Sequence, residues 1–489
     1  MSNRKKKKSR TLCILILLCV ICGGAYLCVH GYMSSKNKTD EDSQAEEVSS
    51  EQLLSETTDD ATKISYKKGD ETIVLVKEND TWKWQADKNC PIDQTKVSDM
   101  LSVFASTEAT KKIADNEENN AEYGLDQPSL TATLTLKDKS TVSYQVGIAA
   151  IGSSDGYYVS VSGKEGVYLA PVTVYSPFQY SEQQLVSIED APEITSDYIY
   201  NVAVKKGTDT VFAVKSKDSD YVITSPYKEQ VEADSDNIST LLSGYTAYSF
   251  TENVDYAGKN LSKYGLDHPA YTVEVKYYEA VEEEVESEDS DTTASTTTKK
   301  GDKKTFTLSI GDKDKDGNYY VQMSGSLSVY LMSESSVTAL IDVDAFSVVE
   351  TAPVSIDLTS VKKITFKTED KTYTMTADAK DADETESDDS EESVYNATFN
   401  GKDMDDETAT SLYSKLTALE YKKEIEGKEK GQSKVLSIKI EYGDKSQYSK
   451  TIVINTLDSD YDQIINDQVS AFAVDKRVVD ELITELEKI

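Results

Sequence analysis

Along much of this chain apolar and polar residues alternate one by one, the pattern of strands with one buried face. "TATLTL" from Thr131 and "ITFKT" from Ile364 carry it, and "TIVLV" from Thr72 is read as such a strand. A longer period appears locally. Val97, Leu101 and Phe104 stand at i, i+4 and i+7, one face of a helix entered through Pro91-Ile92-Asp93, with Asp93 as its N-cap. Ile238, Leu241, Leu242 and Tyr245 offer a second such face, and Leu412, Leu416 and Leu419 a third. A further short helix is expected over Pro171 to Gln184.

These elements recur in one order. Lys67-Lys68-Gly69 returns as Lys205-Lys206-Gly207, an offset of 138, and "AEYGLDQPS" from Ala121 returns as "SKYGLDHPA" from Ser262, an offset of 141. "YYV" at Tyr157 is followed ten residues on by "VYL" at Val167, and "YYV" at Tyr319 is followed in the same way by "VYL" at Val329. Several anchors in the same order at similar offsets mark homologous modules. A third copy, opened by "ITFKTEDKTYTMTA" at Ile364, has lost the YGLD element and reads as a diverged cap to the array. The expected modules are 61–190, 198–350 and 360–489. Acidic inserts at 279–304 and 377–394 fall at hairpin tips and bury too little apolar surface to order themselves.

The N-terminus breaks the alternation. Residues 1–10 hold six basic side chains, and residues 11–33, Thr11 to Met33, carry no charge. At about 1.5 Å per residue such a run spans a hydrocarbon layer as a helix. The basic flank favours a cytoplasmic N-terminus, so the rest is expected outside the cell membrane as a single-pass protein. A cleaved signal peptide ending near Gly23-Gly24-Ala25 is the alternative. Residues 34–60 read as a flexible stalk. The expected fold class is therefore α+β: an N-terminal transmembrane helix, then tandem strand-rich modules, each with one main helix.

Charge and chemistry narrow the function classes. The whole chain has 88 Asp and Glu against 52 Lys and Arg, net −36. Such a surface repels nucleic acid and anionic polymers. Cys13, Cys19, Cys22 and Cys28 lie in the apolar run, which leaves Cys90 alone outside it. Histidine is limited to His30 and His268, which supplies neither a zinc pair nor a Ser-His-Asp triad. "DKDKDG" (Asp312, Asp314, Asp316, Gly317) opens like a calcium loop, but position twelve is Met323 where a bidentate glutamate is needed, so a hairpin turn is expected. Ser360-Val361-Lys362-Lys363 and Ser235-Asp236-Asn237 stand in reversed order for a penicillin-binding site and lack K-T-G. No catalytic residue, cofactor or metal site is expected, and the chain reads as a non-enzyme. Trp82 and Trp84, two apart on a strand, form a candidate ligand face whose default reading is core. Tyr123, Gly124, Leu125, Asp126 and Pro128, with Tyr264, Gly265, Leu266, Asp267 and Pro269, form a structural motif: a buried joint with a left-handed glycine and a helix-stopping proline.

Together the anchor, W-x-W, the helix, "YGLDQP" and the YYV…VYL tail resemble a bacterial family catalogued as a domain of unknown function. The resemblance covers roughly 64–190 and 200–350, and faintly 360–489. Its members are membrane-anchored, and many are encoded beside ABC transporters, including those of the gliding-motility type. The resemblance implies an extracytoplasmic accessory or scaffold protein whose partners are ABC transporter subunits or other envelope proteins. It transfers no catalytic residues. The alternative is a glycan- or peptidoglycan-binding protein of the cell envelope.

Overall fold

The computed structural model describes residues 51–116, 120–150, 156–218, 220–285, 295–354, 360–379, 395–425, 431–443 and 449–489. By packing, the chain divides into two compact units. Of the described residues, one comprises 51–59 with those of Ser102–Thr133 and Thr141–Ser176. The other comprises Asp60–Leu101, Leu134–Ser140 and Pro177–Ile489.

In the first unit an antiparallel row runs from Thr141–Ala149 through Gly156–Val161 and Val167–Pro171 to Lys111–Ala114. Glu51–Leu54 pairs separately with Thr107–Ala109. Leu53 and Leu54 are buried, so the last ten residues of the segment read as stalk (51–60) include packed structure. Phe104 meets Tyr144 edge-on at 5.5 Å, and the buried Tyr144 hydroxyl donates to the Val174 carbonyl at 2.7 Å. Burial without a partner would be unfavourable for that hydroxyl, and this bond removes the penalty.

The second unit opens with a meander of Ala61–Lys68, Glu71–Glu78 and Thr81–Trp84. Its turns are built from residues that tolerate positive φ: Gly69 at +61°, then Asn79 at +49° and Asp80 at +62°. Two nine-stranded antiparallel sheets follow. The first runs Val231–Glu232, Asp220–Ser225, Asp209–Lys217, Ile199–Lys206, Tyr271–Val285, Ser295–Lys313, Tyr319–Met323, Val329–Met332, Glu252–Asp255. The second runs Lys402–Met404, Tyr395–Phe399, Thr372–Ala379, Val361–Lys367, Lys434–Tyr442, Ser449–Thr456, Tyr461–Asn466, Val469–Asp475, Tyr421–Glu424. In chain order the two have the same connectivity, so the diverged third segment repeats the second strand for strand. The outermost strands of both sheets are two to four residues long.

The expected fold class is corrected on two points. Of the described residues 48% are strand and 22% helix, and the sheets are antiparallel. No described helix is long and apolar enough to cross a membrane; the apolar run at 11–33 lies outside the described residues. Nor does each module carry a single main helix. The second has Ser235–Ser243 and Glu334–Ile341, and the third has Asp406–Thr417 and Lys476–Lys488. The added helices follow an ordinary rule. Val337 and Leu340, and Val479, Leu482 and Leu486, recur at helical spacing and are buried, behind caps at Ser333 and Asp475.

Helix Gln94–Ala105 begins as expected, with Asp93 accepting from the amides of Thr95 (2.9 Å) and Lys96 (3.3 Å). Its buried face is Val97, Met100 and Phe104, while Leu101 is turned partly outward. The helix expected over 171–184 is instead short pieces: 3-10 turns at Val172–Val174 and Ser176–Phe178, then a capping-box helix Glu182–Leu185. Pro177 cannot supply the amide hydrogen that a continuous helix would need there.

One apolar cluster in the second unit contains residues of both the second and third modules. Phe472 lies at its centre, with Tyr227 at 5.1 Å, Phe346 at 5.8 Å and Tyr421 at 4.5 Å. Tyr227 also donates to Glu424 at 2.5 Å, which lies in the third module.

Candidate functional site

Both YGLD elements form the same joint. Asn120–Tyr123 and Leu261–Tyr264 each make one 3-10 turn, closed by a left-handed glycine, Gly124 at φ +69° and Gly265 at φ +67°. The next amides return to the start of the turn, Leu125 to Asn120 at 2.8 Å and Leu266 to Leu261 at 3.0 Å. Leu125, Tyr264 and Leu266 are buried, and Tyr123 is half-buried. Tyr123 packs on Tyr158 at 5.0 Å, and Tyr264 packs on Tyr320 at 4.9 Å. Asp126 and Asp267 are exposed, while Pro128 and Pro269 are half-buried behind the turn. A second glycine completes each joint. A Cβ on Gly147 would fall 2.0 Å from the Tyr123 carbonyl oxygen, and one on Gly311 would fall 2.1 Å from that of Tyr264. The glycines lie 23 and 46 positions downstream of their partners, because the second module carries the insert. That unequal spacing conceals the pairing in the sequence.

Trp82 is buried, and Gln94 clamps its backbone by accepting from Trp82 N and donating to Trp82 O, both at 2.9 Å. Trp84 is half-buried opposite Leu75. Trp82 is 6% exposed and so offers a ligand almost no surface. In the "DKDKDG" segment, Asp314 accepts from the backbone of Asp316 (2.9 Å) and Asn318 (2.8 Å). Those donors make it the anchor of a hairpin turn. His268 is exposed in the second joint.

The acidic insert at 279–304 is largely strand. Tyr271–Val285 and Ser295–Lys313 pair from Tyr271↔Ile310 to Val285↔Ser295, with a shift of register between Tyr278 and Ala280. Their neighbours stop sooner, at Ile199↔Tyr277 on one side and Leu308↔Met323 on the other. Beyond Tyr278, the two strands form an arm whose outer edges pair with no other described strand. Glutamates predominate on one strand and lysines on the other, with cross-strand ion pairs Lys299–Glu283 at 2.8 Å and Lys304–Glu279 at 3.4 Å. Sequence composition concealed the arm, since its residues are those of a solvated loop and only their cross-strand partners order them. The insert at 377–394 also sits at a hairpin tip. Thr372–Ala379 and Tyr395–Phe399 pair through Ala379↔Tyr395, and 380–394 lie outside the described residues.

At the root of the arm is a cavity of about 640 Å³. Tyr200 and Tyr278 meet there with ring centroids 5.1 Å apart. Lys300 Nζ lies 5.2 Å from the Tyr278 ring and 5.8 Å from that of Tyr198, and Lys303 Nζ lies 5.3 Å from Tyr200 and 5.6 Å from Tyr278. Tyr198 donates to the Thr298 carbonyl at 2.9 Å, tying the arm to the 3-10 turn Ser196–Tyr198. A larger cavity, about 760 Å³, interleaves Lys217, Lys228 and Lys450 with Glu229, Glu232, Glu350 and Asp467, so its lysines are outweighed by carboxylates. Among the described residues no cluster of His, Cys, Asp and Glu is arranged to hold a metal ion.

No curated protein and no solved structure matches the chain. One family does, a domain of unknown function (DUF4340), over residues 82–258 and again over 226–435. Each match takes in a main helix and a YGLD joint with the strands around it, in agreement with tandem modules. The two matches together cover well over half of the sequence, and the chain belongs to the DUF4340 family.

Proposed function

We propose that this protein is a non-enzymatic, extracytoplasmic accessory or scaffold module. In this reading it is tethered through the apolar run at 11–33 and contacts an ABC-type transporter or another envelope complex. The observation that supports contact is the arm. It extends past its sheet with two open edges, the form in which a strand or loop of another protein is added most readily. The test is crosslinking and co-purification from gently solubilised membranes, with the full chain and with a variant in which 281–300 is replaced by a tight Asn-Gly turn. The full chain retains envelope subunits and the shortened one loses them while melting normally. Retention by both forms, or by neither, would sink the arm as the contact.

A second reading, envelope glycan binding, is favoured by a different observation: the tyrosine–lysine cavity. Tyrosine faces pack on sugar C–H groups, and ammonium groups hold acidic substituents. A pull-down on purified wall polymer tests it, and no retention above a neutral bead control removes it.

A further inference from the structure

The cavity at the root of the arm is unusual in its charge. Lys299 and Lys304, which flank it in sequence, are neutralised by Glu283 and Glu279. Lys300 and Lys303 form no ion pair among the described residues and are instead held over tyrosine rings. In a chain of net charge −36, two cations without carboxylate partners in one concavity need a reason. A cation over an aromatic face keeps its charge available on the opposite side. The two lysines are therefore presented to whatever occupies the cavity beside Tyr200 and Tyr278.

The rest of the lining adds hydrogen-bonding capacity. Ser239 and Ser243 donate to helix carbonyls at 2.7 and 2.9 Å, which leaves hydroxyl lone pairs as acceptors. Asp197 adds a carboxylate acceptor. Stacking faces, acceptors for hydroxyl donors and two cations together describe a sugar that carries an acid group. The cavity volume lies within the ordinary range for small-ligand sites, roughly 300–1,000 Å³. Global charge sets the ligand's length. At physiological salt, fields fade over about 8 Å, so the local lysine pair governs a short ligand, while a long polyanion meets the acidic surface beyond it.

We propose that the cavity lined by Tyr200, Tyr278, Lys300 and Lys303 binds a short carboxylated saccharide. This inference rests on the glycan-binding reading and gives that reading a site and a substrate class. The test is titration calorimetry on the purified full chain with three probes: a carboxylate-bearing disaccharide, its neutral carboxamide analogue, and sodium acetate. The same titrations are run on Lys300→Ala/Lys303→Ala and on Tyr278→Leu, with near-ultraviolet circular dichroism to confirm folding.

The acidic disaccharide binds the parent chain, and the amide analogue and the double lysine variant are each weaker by about tenfold or more. Tyr278→Leu weakens the acidic and neutral sugars alike, and acetate alone does not bind. Equal binding of acid and amide, or an unaffected lysine variant, overturns the proposal, as does absence of binding by every saccharide. The two claims fail separately. Wall polymer retained equally by the parent and the double lysine variant leaves the glycan reading standing and removes this site. The disaccharide bound but polymer not retained leaves the site standing and removes the wall as its source.

Discussion

Gly147 and Gly311 have no side chain because a carbonyl oxygen occupies the space where a Cβ would be. At 2.0 and 2.1 Å the clash is with backbone, which cannot swing away as a flexible side chain would. Gly311→Ala is therefore expected to lower stability by about 2 kcal/mol or more, read from urea denaturation. A loss under about 0.5 kcal/mol, the range of a neutral surface substitution, would count against the close approach. Asp462 makes a different prediction. Its side chain is fully buried, both carboxylate oxygens lack a hydrogen-bond partner, and Lys476 Nζ is 4.0 Å away. Burial pushes its pKa above the ordinary aspartate range, and the Lys476 charge only partly opposes this. An acid whose folded pKa is raised binds its proton more tightly in the folded state, so stability falls as pH rises from the unfolded value through the folded one. Asp462→Asn removes that slope and stabilises the protein at neutral pH by about 1–3 kcal/mol. Urea midpoints of both forms at a series of pH values from 3 upward measure it; parallel curves would show the carboxylate to be satisfied. Neither feature is visible in the sequence, where Gly147 is one glycine of 22 and Asp462 one acid of 88.

At the scale of elements, strands and the main helix of each module are legible because each needs only a local period. Asp93 and Asp234 precede their helices as caps, and the Asp234 carboxylate accepts from Asn237 N at 2.8 Å. Asp234→Ala is expected to cost about 1 kcal/mol, measured as a lowered melting temperature, with Asp234→Asn close to the parent. Equal losses for both substitutions would show that the cap bond is not what stabilises the turn. The arm was illegible for the opposite reason. Lys299 and Glu283 become neighbours only after the chain has folded back on itself, and a run of acids, threonines and lysines has no period of its own. Trp82 was ambiguous because a tryptophan on a strand looks the same from sequence whether it faces core or solvent. Gln94, which fixes its position, belongs to the following helix.

At the scale of the whole molecule, the repeats were readable from Lys-Lys-Gly and YGLD because those positions demand particular backbone geometry. The third module kept the strand order and lacks the YGLD residues, so its likeness is clearer in three dimensions than in letters. Its packing against the second module could not be read, since Tyr227, Phe346, Tyr421 and Phe472 come from four separate stretches. A shared core ties the folding of these two modules together. Phe472→Ala is expected to cost about 3–5 kcal/mol and to lower amide protection in both modules. Hydrogen exchange resolved by peptide would show this, and loosening confined to 360–489 would mean that the modules fold independently.

The short outer strands of both nine-stranded sheets have a consequence for life at high concentration. A strand-rich protein is prone to aggregation when long edges leave rows of unpaired amides to template neighbours. Here the outermost strands of the two sheets are two to four residues long: Val231–Glu232, Glu252–Asp255, Lys402–Met404 and Tyr421–Glu424. Such edges offer too few groups to nucleate a fibril, and the chain's −36 charge adds mutual repulsion. At these margins copies of the molecule can crowd without pairing, which leaves the open edges of the arm as the place where a strand can add.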